Sequence, residues 1–154
     1  MATMSEQPSI RVKSVCVFRD SGRVLLEKGF NPSNQQSYYM PPGGAVEFGE
    51  RTADAVRREI REEFQVDITD VRLLGTFESF FPWGARPIHE IVFVFDGRFL
   101  DSSFYRLNVV RGHEAGAGAI EAFWCPIREL HAEPLAVYPE GLVDLLISLE
   151  PTPS

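Results

Sequence analysis

The sequence predicts an α/β (α+β) protein in which a mixed central sheet lies between helices, a three-layer α/β/α sandwich. Three observations predict it. Runs rich in β-branched and aromatic residues, separated by Gly, Pro, Asp and Asn, recur along most of the chain. Two stretches switch to helical periodicity, one over residues 52–64 and one from Pro139 to Leu149. A length of 154 residues with 44% apolar content and 12 Phe suits one domain with a proper core, spanning 1–154 behind a loose polar leader at 1–9.

Taken in order, RVKSVCVF (Arg11–Phe18) reads as a strand, Asp20-Ser21-Gly22 as a turn and RVLLE (Arg23–Glu27) as the returning strand of a hairpin. Gly29–Ser37 is a polar loop, and Tyr38-Tyr39-Met40 a short strand. Pro41-Pro42-Gly43-Gly44 makes a rigid turn with room for close backbone approach, followed by a brief strand over Ala45–Phe48. Thr52 is the expected N-cap of the first helix, with Asp54 where a negative charge suits the helix dipole. Asp70–Phe81 follows as a strand, interrupted at Gly75. After a hairpin loop over Pro82–Pro87, Ile88–Phe95 returns as a central strand, because its run Ile91–Phe95 is almost continuously apolar. Asp96–Gly118 is expected to be irregular. Ile120–Cys125 is a strand, Ile127–His131 a helical turn, and PEGLVDLLISL a second amphipathic helix opened by Pro139 and carrying Leu142, Leu145, Leu146 and Leu149 on one side.

Charge and cysteine content narrow the function. A net charge of −7 excludes a nucleic-acid surface built on general basicity. It leaves room for a polyphosphate substrate, because bound cations reverse the local sign of a site. Cys16 and Cys125 read as free thiols of a reducing compartment. With no signal-like start and no apolar stretch of membrane length, the expectation is a cytoplasmic protein without membrane contact.

The chemistry concentrates in the first helix. At about 100° per residue, Glu59, Glu62 and Glu63 share an arc of about 100°, beside an apolar stripe of Ala53, Val56, Ile60 and Phe64. Three like charges within one turn repel by a few tenths of a kcal/mol per pair. A hard divalent cation with oxygen ligands is the obvious compensation.

Gly44, five residues, Glu50, seven residues, then Arg58-Glu59-Ile60-Arg61-Glu62-Glu63-Phe64-Gln65-Val66 resembles the signature box of the Nudix (MutT-like) hydrolases, with Gln65 in place of the last Gly. The entrance YYMPPGGAVEFGE and the later FWCPIREL are also similar to that family. The resemblance implies a Nudix-type sandwich and a pyrophosphohydrolase, cleaving a nucleoside diphosphate linked to another moiety by water attack on phosphorus. Such substrates include an ADP-ribose-like sugar nucleotide, a nucleoside triphosphate and a dinucleoside polyphosphate. It implies that Glu59, Glu62 and Glu63 hold Mg²⁺, or Mn²⁺ in its place, with the Gly43 carbonyl as a further ligand. Arg58 matches the arginine that orients the glutamates, and Glu50 its structural partner. Family members differ in the carboxylate that deprotonates the water. Glu59 comes first, with Glu121 as the leading residue from outside the box and Glu114 after it.

Trp83, Arg86 and Tyr39 are the candidates for substrate binding, among aromatics (Tyr38, Tyr39, Phe81, Trp83) able to stack a base, although such residues beside strands commonly belong to the core. His89 and His113 read as surface or hydrogen-bonded residues. Beyond the small nucleotide, RNA is disfavoured by the acidic balance. A homodimer, to which Phe80-Phe81 near Trp83 would contribute, is compatible with the family. The competing class is a nucleotide-sensing module without turnover, which predicts a damaged carboxylate set.

Overall fold

A computed structural model describes residues 7–132 and 135–152, so residues 1–6 of the expected leader at 1–9, residues 133–134 and the last two residues of the tail lie outside it. Its first long strand, β1 (Ile10–Asp20), alternates sides strictly. Val15 and Val17 enter one core, and Cys16 and Phe18 the other. Both faces are therefore covered, and the layers follow from that. β2 (Arg23–Asn31) splits likewise, with Leu25 on one side and Val24 and Leu26 on the other.

The remaining elements are β3 (Gln36–Met40), β4 (Gly43–Ala45), α1 (Thr52–Phe64), β5 (Ile68–Trp83), β6 (Arg86–Phe99), β7 (Val109–Glu114), β8 (Gly118–Pro126) and α2 (Leu142–Ser148). Short 3₁₀ turns occupy Ser102–Arg106 and Ile127–Glu129. The sheet runs β5-β6-β1-β2-β8-β7, with β3 on β2 and β4 on β1. Among the described strand pairs β1 and β6 are the parallel one, so the sheet is mixed as expected. Val56, Ile60 and Phe64 of α1 cover one face. Leu142 and Leu146 of α2, with Ile127, cover the other. β6 lies between β5 and β1, its Val92 and Val94 facing α2 and its Phe93 and Phe95 facing α1. Among the described residues no helix is long and apolar enough to cross a membrane. Both cysteines are free, Cys16 buried and Cys125 partly exposed.

Several expectations need correcting. Arg51, not Thr52, is the N-cap. It has extended backbone and no side-chain cap bond, and Thr52 is already the first helical residue. The expected irregular stretch 96–118 contains β7, whose Arg111-Gly112-His113-Glu114 pairs with Gly118–Glu121. A polar tetrapeptide with a glycine lacks a strand signature, and only its partner strand makes it one. The loop at Pro82–Pro87 tightens to a two-residue turn, with Pro82 opposite Pro87 and Trp83 opposite Arg86. Proline is tolerated there because β5 is an edge strand and Pro87 sits at the start of β6. The polar loop after β2 shortens too, since β2 runs to Asn31 and β3 begins at Gln36. The brief strand is Gly43–Ala45 rather than Ala45–Phe48. α2 starts only at Leu142, because Gly141 at φ 94° interrupts the helical path from Pro139. The interruption near Gly75 is a register shift between Leu73 and Gly75, with a second between Thr69 and Arg72.

Candidate active site

β1 and β2 are paired only at their hairpin end, Arg19 with Val24 and Asp20 with Arg23. Beyond that they part. β4 then occupies the free edge of β1 at Lys13–Val15, and β3 the free edge of β2. The parting opens a cleft in the middle of the sheet, and α1 lies beside it.

Two glycines set the depth of this cleft. Gly43 adopts φ 152°, and a Cβ there would collide with the backbone of Ser14. At Gly44 a Cβ would overlap the carboxylate of Glu59, its Cδ only 2.5 Å away. The prolines before them, Pro41 and Pro42, are buried, and the Pro42 carbonyl accepts a 2.8 Å hydrogen bond from the Cys16 N–H. A stiff turn thus holds bare backbone against the acidic edge of α1.

Arg58 organises that edge. Its Nε and Nη2 donate to both oxygens of Glu50 at 2.7 and 2.9 Å. Its Nη1 donates to Glu59 at 3.0 Å and to Glu62 at 3.2 Å, and Nη2 also reaches the Ala45 carbonyl at 2.9 Å. This hydrogen bonding holds the Glu50 carboxyl below its ordinary range and raises the Arg58 guanidinium further. Glu59, half-buried, is shifted upward by loss of solvent, with Arg58 opposing. Glu62 stays exposed.

Glu63 is the buried member, 4% exposed, and faces Glu27 of β2. Burial drives both carboxyls upward, and for Glu63 the Glu27 charge adds to it. Glu63 Oε2 and Glu27 Oε1 are buried and receive no hydrogen bond. Two facing carboxyls with orphaned oxygens need a proton or a cation between them. As the side chains stand, no three His, Cys, Asp or Glu among the described residues form a ready metal cage. Arg58 holds Glu59 and Glu62 on one side, while Glu63 turns to Glu27 on the other. The donor set is nevertheless all hard oxygen, crowded and undercompensated, which fits a divalent cation.

Glu27, Glu63 and Glu114 line one cavity of about 630 Å³, together with Gly43, Gly44 and the cations Arg11, Lys13 and Lys28. A second cavity of about 360 Å³ adjoins it and shares Arg11, Lys13, Tyr38, Met40 and Trp83 with it. Its walls are aromatic. Tyr38 stands edge-on to Trp83 at 5.9 Å and to Tyr138 at 5.6 Å, and Phe81 lies 5.4 Å from Tyr138. Asn31, Ser79 and Glu90 supply buried polar groups.

The structure sorts the candidates named from sequence. Trp83 and Arg86 line the aromatic cavity. Tyr39 does not, because successive strand residues face opposite ways. Its ring packs on the core beneath α2, and its neighbour Tyr38 takes the place in the cavity wall. Glu121 is turned out to solvent, 3.6 Å from its cross-strand partner Arg111. Glu114, at the end of β7, enters the cavity instead and adds its charge to Glu27, Glu59 and Glu63. Glu27 went unrecognised in the sequence. Its only signal was strand parity, which puts it on the same face as Leu25 and therefore toward α1. His89 stacks on Phe80 at 4.2 Å, and His113 is exposed.

The arrangement matches known proteins over nearly its full length. The family model of the NUDIX domain covers residues 9–146. The uncharacterized Nudix hydrolase YvcI of Bacillus subtilis (strain 168) is 26% identical over 132 residues, 86% of this chain and 76% of that protein. In fold, the chain is similar to a MutT NUDIX hydrolase from Burkholderia pseudomallei, with TM-score 0.64, 21% identity and coverage of 92% and 99% of the two chains. It is also similar to an ADP compounds hydrolase, with TM-score 0.60, 16% identity and coverage of 83% and 65%. With the family model spanning all but the ends of the chain and the box helix set on its glycine turn, the protein belongs to the Nudix family and is a Nudix hydrolase.

Proposed function

We propose that the protein is a divalent-metal-dependent pyrophosphohydrolase acting on a nucleoside diphosphate linked to another moiety. Nudix hydrolases generally depend on a divalent metal. The observation that carries the reading is the cleft itself. Acidic Glu63, Glu27 and Glu114 and basic Arg11, Lys13 and Lys28 line one cavity, and an aromatic cavity opens from it. The first suits phosphates with counter-cations, and the second a flat ring. A nucleotide has both parts.

Glu59, Glu62 and Glu63, with the Gly43 carbonyl, would hold Mg²⁺ or Mn²⁺. When bound, the metal supplies charge neutralisation at the phosphate oxygens and acidifies the attacking water. The protein's own groups do the rest. Arg58 keeps Glu59 and Glu62 oriented. Glu59 takes the water proton, and Glu27 and Glu114 are the carboxylates from outside the box with a place in the cavity. Lys13 and Lys28 offset charge on the phosphate chain, and Tyr38 and Trp83 embrace the ring. The similarity to an ADP compounds hydrolase supports ADP-linked substrates as the first to try.

The test is a turnover screen of ADP-ribose, nucleoside triphosphates and diadenosine polyphosphates with Mg²⁺ or Mn²⁺, read as phosphate after phosphatase coupling. Metal-dependent release from at least one supports the reading. Tight binding without turnover of any would instead make it a sensor.

A further inference from the structure

We propose that Arg11, fixed in place by the buried carboxylate of Glu90, is a substrate-binding residue that grips the phosphate chain where it passes between the two cavities. This deepens the nucleotide reading above and rests on it. Arg11 and Glu90 are register partners on the parallel strands β1 and β6, so their side chains leave the sheet on the same face. Arg11 Nη2 donates to Glu90 Oε2 at 2.6 Å. The two ends of this pair differ sharply in exposure. The Glu90 side chain is 6% exposed and that of Arg11 55%.

A pair of this kind does little for stability, because desolvating the carboxylate costs about as much as the attraction returns. What it does achieve is order. Arginine is a long side chain whose rotamer freedom is normally lost on binding a ligand, and Glu90 removes that freedom beforehand. Glu90 engages one terminal nitrogen of the five-donor guanidinium, and the bond to Glu90 leaves the other donors unused. Arg11 lines both of them, and so does Lys13, two residues on and on the same face. At about 6.6 Å along the strand, the two cations can hold successive parts of one phosphate chain. The ligand class is then a nucleotide with its ring among Tyr38, Trp83 and Tyr138 and its diphosphate running past Arg11 toward Glu63. Glu90 acts through Arg11 and is a positioning residue.

The experiment measures binding of the α,β-methylene analogues of ADP and GDP, which resist cleavage, against adenosine and guanosine, by calorimetry with Mg²⁺ present. Wild type is expected to bind one diphosphate analogue at least about tenfold tighter than its nucleoside, the scale of a charged hydrogen bond. In Arg11→Ala that gap should narrow by about tenfold while nucleoside affinity holds. Glu90→Gln should narrow it partly, and Arg11→Lys should restore only part, since lysine lacks the planar fork. If Arg11→Ala folds poorly, the double variant Arg11→Gln/Glu90→Gln removes both charges and must show the same narrowing. An unchanged gap, equal losses for nucleoside and diphosphate, or no gap in wild type would each overturn the proposal. Absence of turnover with an intact, Arg11-dependent gap would sink the hydrolase reading alone.

Discussion

Arg58 clasps Glu50 with two nitrogens, at 2.7 and 2.9 Å, across eight residues of sequence. That fork ties the loop after β4 to the middle of α1. The remaining nitrogen is thereby aimed at Glu59 and Glu62, on the residue's own helix. One guanidinium thus sets the loop and two carboxylates at once, and it fixes them before any ligand arrives.

Arg58→Lys should therefore behave as a severe change. Lysine offers a point charge and cannot make the fork. We expect kcat to fall about 10–100-fold, the usual effect of removing a group that orients metal-binding residues, with the circular dichroism spectrum unchanged. Glu50→Gln should fall in the same range. A loss under threefold in both would remove the orienting role.

Divalent metal should stabilise the protein. Glu63 and Glu27 face each other with oxygens that no donor satisfies, so cation binding relieves a penalty specific to the folded state. At about a hundred times the dissociation constant, mass action adds about 2.7 kcal/mol. For a chain of this length that is a rise in Tm of about 5–10 °C, reversed by EDTA.

Glu63→Gln should separate stability from catalysis. An amide in place of the carboxyl removes one of the facing acids and donates to Glu27. Without metal the variant should melt about 2–4 °C higher than wild type, a gain of about 1 kcal/mol. Its response to metal should shrink and its turnover drop by at least about a hundredfold. A variant that melts lower in EDTA and still turns over would contradict both halves.

Gln65 ends α1 at φ 54° and ψ 41°, left-handed, with its N–H on the Arg61 carbonyl at 2.9 Å. Glycine adopts this conformation without steric cost, so Gln65→Gly should stabilise by about 0.5–1 kcal/mol after the extra unfolded-state entropy is counted. Differential scanning calorimetry should show a Tm about 1–4 °C higher, with kcat and KM unchanged.

Gly44→Ala should do the reverse. Its Cβ would land on the Glu59 carboxylate, which must then move or push β4 away. We expect a folded protein whose kcat is lower by at least about tenfold, while nucleoside binding at the aromatic cavity is kept.

Much of this was legible in the sequence because it is local. The bounds of α1 and its three-glutamate edge depend on periodicity and spacing within about 20 residues. So do most strands, whose alternation survives in any context. β7 was not legible, since Arg111-Gly112-His113-Glu114 becomes a strand only beside β8. Gly112 also has to be glycine for a distant reason. A Cβ there would strike the Glu63 carbonyl and the Phe64 ring at the end of α1.

By itself, then, the sequence determined the family, the layered fold and the acidic edge of one helix. Only the tertiary structure decided what meets that edge. Strand pairing and side-chain parity brought Glu27 to Glu63, carried Glu114 in, left Glu121 in solvent and set Tyr38 rather than Tyr39 in the cavity wall. Each of these turns on strand pairing and on which face a residue presents. A shift of one residue reverses the face, and register is fixed only when strands far apart in the chain come together.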